Sequence, residues 1–165
     1  MAGLNRRGFF GFLATAAGAT SVVRPPYASD PMRFGSQCPT CTAKSCMSAC
    51  ETRIIRIDDK GLPELDFSQN GCTYCDACRN ACQSGVLENA EALIPATVRI
   101  DTQKCVSHFG VICFTCKEPC MDDAIIFEGL FKPTINTDRC TACGFCMARC
   151  PSNAITIIAS GREAS

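Results

Sequence analysis

The sequence contains no tryptophan and one histidine, His108. A Ser–His–Asp relay is therefore possible only around that residue, and no nucleophile pattern surrounds it. No glycine-rich phosphate loop is present, so no nucleotide or flavin site is indicated. Neither sign of charge is in excess. The 16 basic and 16 acidic side chains cancel, whereas a nucleic-acid partner calls for a basic surface. Long hydrophobic runs are missing too. The longest, Phe9 to Val23, covers about 15 residues rich in Ala, Gly and Thr, short for a transmembrane span. His108 is expected in an exposed loop without a catalytic role.

Cysteine is what the chain has in abundance: 16 among 165 residues. Such a density marks a disulfide scaffold or a metal protein. The 47% hydrophobic content includes these cysteines, so the apolar core is expected to be small and to need staples.

The cysteines fall into four groups. The first is Cys38, Cys41, Cys46, Cys50; the second is Cys72, Cys75, Cys78, Cys82. The third is Cys105, Cys113, Cys116, Cys120; the fourth is Cys140, Cys143, Cys146, Cys150. Their leading residues lie 34, 33 and 35 positions apart, the mark of a repeated unit. An apolar residue, Phe67, Ile100 or Ile135, stands five positions before the leading cysteine of the last three groups, next to Asp66, Asp101 or Asn136. Short apolar runs follow each group: "RIIRI" 53–57, "GVL" 85–87, "AIIF" 124–127 and "AITII" 154–158. They are too short for helices and read as strands. Each unit is thus expected to run strand, cysteine loop, short helix, strand. "KGLP" 60–63 and "FKP" 131–133 read as turns.

Groups two and four follow C-x2-C-x2-C-x3-C. Three cysteines spaced three apart let a loop wrap one cuboidal cluster, and the fourth reaches a different one, as in bacterial ferredoxins. A disulfide framework does not account for this rhythm occurring twice. Zinc sites favour two C-x2-C pairs separated by a spacer, which three cysteines in seven residues match poorly. Group one is C-x2-C-x4-C-x3-C, with the polar Lys44 and Ser45 read as an exposed bulge. Group three is C-x7-C-x2-C-x3-C, the least regular of the four, and its cluster is the fourth expected. All 16 cysteines are therefore candidate ligands of 4Fe–4S clusters, three firmly indicated and a fourth at the Cys105 group.

Chain order pairs the groups. The expected sets are Cys38, Cys41, Cys46 with Cys82, and Cys72, Cys75, Cys78 with Cys50. In the second half they are Cys105, Cys113, Cys116 with Cys150, and Cys140, Cys143, Cys146 with Cys120. The fold class is α+β, as two tandem bacterial ferredoxin-like double-cluster modules with short strands and helices and a small apolar core held by the clusters. The expected divisions are an N-terminal segment 1–32, a first module 33–90 and a second module 91–165. The join falls in the cysteine-free stretch Glu88 to Thr97, which carries Pro95. Arg79, Lys104, Lys117, Arg139 and Arg149 are more simply read as solvated charges than as partners of a cluster.

Arg6 and Arg7 precede Phe9, Phe10 and a mildly apolar stretch, a pattern like a twin-arginine export signal. With "RPP" 24–26, the C-x7-C-x2-C-x3-C of group three, "AIIF" 124–127 and "CPSNAIT" 150–156, the chain resembles the NapF family, ferredoxin-type proteins of periplasmic nitrate reductase systems. The resemblance implies an accessory iron–sulfur protein, not an enzyme. It implies action in the cytoplasm, before export, on the catalytic subunit of periplasmic nitrate reductase (NapA-like). Arg6, Arg7 and Arg24-Pro25-Pro26 would then be candidate contacts. The alternative is an electron-transfer polyferredoxin of a respiratory chain, with export to the periplasm by the twin-arginine route.

Overall fold

The computed structural model describes residues 22–28, 30–89 and 91–160. Arg6 and Arg7 and most of the apolar run after them lie outside these residues. Helix α1, Pro31–Thr40, starts where Asp30 accepts from the amides of Met32 at 2.8 Å and Arg33 at 3.4 Å. Pro31 occupies the first helical position, where its missing N–H costs nothing. This helix was not expected, and it carries Cys38, the first cysteine of group one.

Four helices and six strands are found among the described residues, and the anticipated run of strand, cysteine loop, short helix and strand is complete only in the fourth unit; the first opens on α1, the second lacks its closing strand and the third its α-helix. After α1 come α2 (Ser45–Ser48), β1 (Ile55–Ile57), β2 (Pro63–Leu65) and α3 (Ala77–Asn80). The second half has β3 (Ala96–Ile100), β4 (Ile125–Glu128), β5 (Phe131–Ile135), α4 (Phe145–Arg149) and β6 (Ile155–Ala159). β1 and β2 form an antiparallel hairpin with Ile55 opposite Leu65. β4 and β5 form another, irregular between Phe127 and Glu128. β3 pairs antiparallel with β6 from Ala96–Ala159 to Ile100–Ile155, so the second half closes on its own ends.

Three expectations are corrected. "GVL" 85–87 is not a strand; it is a turn with Gly85 at φ +65°. Its Val86 and Leu87 are buried all the same, against Tyr27 and Phe34. "FKP" 131–133 is the start of β5, and the turn lies just before it at Gly129–Leu130. Group three has no α-helix: a 3-10 turn at Val106–Phe109 follows Cys105, and residues 115–119 are turns. In the other groups a left-handed residue stands two before the third cysteine: Lys44, Asp76 and Gly144. Group three has Phe114 there, with no positive φ, and the helical turn does not start.

Two devices repeat down the chain. Asp66, Asp101 and Asn136 each accept the amide two residues on, at 2.9, 2.9 and 3.0 Å. These Asx turns bend the chain from a strand into a cysteine loop. After the last cysteine of every group, the third residue is left-handed: Arg53, Gly85, Asp123 and Asn153.

Residues 22–28 line the first half. The carbonyl of Val23 accepts from Leu65 at 2.8 Å, and that of Tyr27 from Asn89 at 3.1 Å. Pro25 and Pro26 are fully buried. Arg24 donates to Asp58 at 3.0 Å and to the carbonyl of Pro63 at 3.1 Å. The "RPP" residues are thus packed inside, leaving little of them for a partner. One core cluster runs through both halves, with Ile55, Leu65 and Phe67 from the first and Val98, Ile125 and Ile155 from the second. Among the described residues, no helix is long and apolar enough to cross a membrane.

Candidate iron–sulfur sites

Each short helix carries one cysteine within it and delivers another just beyond its end. In α2 these are Cys46 and Cys50; in α3, Cys78 and Cys82; in α4, Cys146 and Cys150. Four residues advance a helix by about 6 Å and return to the same face. The two thiols are therefore one turn apart and serve neighbouring spaces.

Four cavities result. One is lined by Cys38, Cys41, Cys46 and Cys82, with about 420 Å³ of open space. A second, of about 350 Å³, is lined by Cys50, Cys72, Cys75 and Cys78. A third, of about 340 Å³, is lined by Cys105, Cys113, Cys116 and Cys150. The fourth, also about 340 Å³, is lined by Cys120, Cys140, Cys143 and Cys146. We name them the Cys38, Cys72, Cys105 and Cys140 cavities. Each holds four thiols, and the sets coincide with those expected from chain order. The structure also brings the irregular third group together, with Cys150 reaching Cys105, Cys113 and Cys116.

The donor chemistry suits a cluster. All 16 cysteines are free thiols. Among the described residues no three His, Cys, Asp or Glu side chains converge closely enough to hold a single metal ion. The thiols of each set surround a space rather than a point, the arrangement a cuboidal group needs. Backbone amides point at sulfurs: Tyr74 at Cys72, Ala124 at Cys120 and Ala154 at Cys150, at 3.4, 3.3 and 3.3 Å. Such donors stabilise thiolate charge.

Burial separates the thiols. It pushes Cys78 and Cys146 up to about 12 and Cys72 and Cys116 up to about 11. Neighbouring thiols push the same way. For the crossing residues Cys50, Cys82 and Cys150, burial also raises the pKa, but hydrogen bonds more than offset it and leave them below the ordinary thiol value. These bonds include the hydroxyls of Thr52, Ser84 and Ser152, at 3.5, 3.5 and 3.6 Å from sulfur.

Three cavity-lining positions had no clear signal in the sequence. Lys44 is not an outward bulge. At φ +44° its Nζ turns in to the carbonyls of Cys38 and Gly61, the latter at 2.7 Å, and it lines the Cys38 cavity. Asp122 lines the Cys140 cavity and Asp76 the Cys72 cavity. The hydroxyls two residues after the crossing cysteines could have been found by aligning the repeats. None of Arg79, Lys104, Lys117, Arg139 and Arg149 lines one of these four cavities. Arg79 lies over the Tyr27 ring at 5.7 Å, and Lys104 and Arg139 pair with Asp101 and Asp123. His108 is half-buried in the 3-10 turn, its Nε2 3.4 Å from the carbonyl of Pro133. The rest of that insertion turns Phe109, Val111 and Ile112 outward.

Known proteins resemble this chain in sequence. Residues 133–156 match the 4Fe-4S binding domain family. The ferredoxin-type protein NapF of Escherichia coli (strain K12) is 32% identical over 142 residues, 84% of this chain and 85% of that protein. NapF of Haemophilus influenzae is 35% identical over 140 residues, 82% of this chain and 78% of that protein. The ferredoxin-type protein NapG of Escherichia coli (strain K12) is 27% identical over 161 residues, 82% of this chain and 69% of that protein. Four-thiol cavities, a 4Fe-4S family match and relatives aligned over most of their length converge, and the chain belongs to the NapF family of ferredoxin-type 4Fe–4S proteins.

Proposed function

We propose that the chain holds four 4Fe–4S clusters in two tandem double-cluster modules, residues 33–90 and 91–165, preceded by the segment 1–32. The observation that carries this reading is the composition of the four cavities: three cysteines from one group and the last cysteine of its neighbour, four times over. A bound 4Fe–4S cluster supplies one-electron redox chemistry at a potential set by its surroundings. The chain's own part is to hold the thiolates, aim amides and hydroxyls at them, and place charge nearby. Lys44 brings positive charge to the Cys38 cavity; Asp76 and Asp122 bring negative charge to two others.

Membership of the NapF family supports a role as an accessory factor, not an enzyme. In this reading the protein works in the cytoplasm on the catalytic subunit of periplasmic nitrate reductase before that subunit is exported. Iron and sulfide near 16 each per chain would support four clusters, and a count near 12 would leave one set empty. Co-purification with the unexported catalytic subunit would support the accessory role. A shortened periplasmic form that exchanges electrons with a quinol-linked partner, and does not bind that subunit, would replace it with a respiratory polyferredoxin.

A further inference from the structure

The halves of the molecule meet at two cysteine loops. The amide of Cys72 donates to the carbonyl of Cys143 at 2.7 Å. These residues line different cavities, one in each half. The Tyr74 hydroxyl donates to the carbonyl of Thr141 in the same contact, and the Thr141 hydroxyl donates to Asp122 at 2.6 Å. Two glycines allow this approach. A Cβ on Gly71 would stand 2.6 Å from the ring and amide nitrogen of Phe145, and one on Gly144 would stand 2.1 Å from the ring of Phe67. Within each half the cavities are already neighbours, because Cys46 and Cys50, Cys78 and Cys82, and Cys146 and Cys150 are one helical turn apart.

We propose that the Cys72–Cys143 contact joins the four cavities into a single row, in the order Cys38, Cys72, Cys140, Cys105, with the Cys38 and Cys105 sets at its ends. The order differs from chain order, since group four sits inside the row and group three at its tip. The exposed Phe109, Val111 and Ile112 accordingly flank an end of the row, not its middle. This proposal rests on the four-cluster reading and adds the arrangement.

Spin–spin coupling in the full-length protein tests it. One variant, Cys41→Ser with Cys113→Ser, keeps only the two middle sites; another, Cys75→Ser with Cys143→Ser, keeps only the two ends. After dithionite reduction, pulsed electron paramagnetic resonance should show coupling roughly tenfold stronger or more in the first, because dipolar coupling falls as the cube of distance and the ends lie three steps of at least a helical turn apart. Filled but uncoupled middle sites would overturn the row. Gly71→Val, with all sixteen cysteines intact, guards against loss of fold in the first variant. It should keep its iron while the spectrum separates into two independent pairs; an unchanged spectrum would also overturn the row. Absence of iron from the Cys72 or Cys140 set in the unaltered chain would instead sink the four-cluster reading, a distinct result.

A separate observation concerns Asp122. Two residues after the last cysteine of each group stand Thr52, Ser84, Asp122 and Ser152. Three are hydroxyls in contact with the cysteine sulfur; the fourth is a carboxylate. Asp122 lines the cavity with Cys140 and Cys143, and its carboxylate is held there by the Thr141 hydroxyl at 2.6 Å. Hydroxyl donors favour the added charge of a reduced site and a carboxylate opposes it. The geometry assigns Asp122 as a positioning residue that holds the Cys140 site at lower potential than a hydroxyl there would.

A redox titration with dithionite, which delivers the single electron of each step, reads this directly. Asp122→Ser should raise one step by about 59 mV or more, a tenfold change in the reduced-to-oxidised ratio. Asp122→Glu should leave all steps in place. The moved step should be the one absent from Cys143→Ser. No shift, a shift in a step that Cys143→Ser retains, or loss of iron from Asp122→Ser would overturn the assignment.

Discussion

The guanidinium of Arg24 and the carboxylate of Asp58 meet at 3.0 Å, both largely shielded from solvent, and tie the entering chain to the β1–β2 hairpin. The same Arg24 nitrogen reaches the carbonyl of Pro63, and its guanidinium lies 5.5 Å from the Phe34 ring centroid. Arg24→Ala leaves Asp58 without its cation and Phe34 less covered. A hydrogen bond to a charged group contributes about 1.5–3 kcal/mol, and the loss on urea unfolding at neutral pH should fall in that range. A loss near zero would mean that residues 22–28 are held by their buried side chains and the Val23 and Tyr27 backbone bonds, without help from the ion pair.

The crossing of cysteines between cavities predicts which site a single substitution empties under the four-cluster proposal. Cys82 lies in group two but lines the Cys38 cavity. The spectrum of Cys82→Ser should therefore match that of Cys41→Ser and differ from that of Cys75→Ser. The reverse match would show that each group closes on its own fourth cysteine.

Gly144 stands at φ +85° with the Phe67 ring where a side chain would go. The left-handed backbone alone costs an L-residue about 1–2 kcal/mol, and the blocked Cβ adds to it. Gly144→Ala should destabilise by more than that range. Because the two residues touch, Gly144→Ala with Phe67→Leu should cost less than the sum of the two single changes. Strict additivity in a double-mutant cycle would rule out the steric account.

Loading of the sites should depend on pH. Metal ligation needs thiolates, so binding releases protons. Burial holds Cys78 and Cys146 up to about 12 and Cys72 and Cys116 up to about 11, against an ordinary 9.0. At neutral pH these four thiols keep their protons before a cluster binds, and the proton penalty on loading shrinks as pH rises. Reconstitution against a fixed chelator should reach higher iron occupancy at pH 9 than at pH 7, with net acid release in a pH-stat. Occupancy that is flat over this range would mean that the sites open to solvent before they load.

The grouping of the thiols was legible where it is local. One loop gathers the first three cysteines of a group into one cavity, whereas the last cysteine, one helical turn on, goes to the cavity of the neighbouring group. The strands after groups one, three and four followed from their β-branched runs. "GVL" 85–87 failed because Gly85 takes a left-handed turn, and its two apolar residues serve the small core under Tyr27 without pairing to a strand. Lys44 was misread because polarity in a loop predicts exposure only when nothing inside needs a donor. Here two carbonyls, of Cys38 and Gly61, do.

By itself, the sequence determined how many cysteines there are, their rhythm and period, and which three of each group a single loop gathers, since all of these depend on short stretches of backbone. Tertiary structure alone decided that Cys72 meets Cys143, that Phe67 and Phe145 lie over the glycines of the opposite loop, and that Pro25 and Pro26 are buried. Those contacts join residues some 40 to 80 positions apart, or more. They come from packing two halves over one shared apolar core, and no local run of residues carries that information.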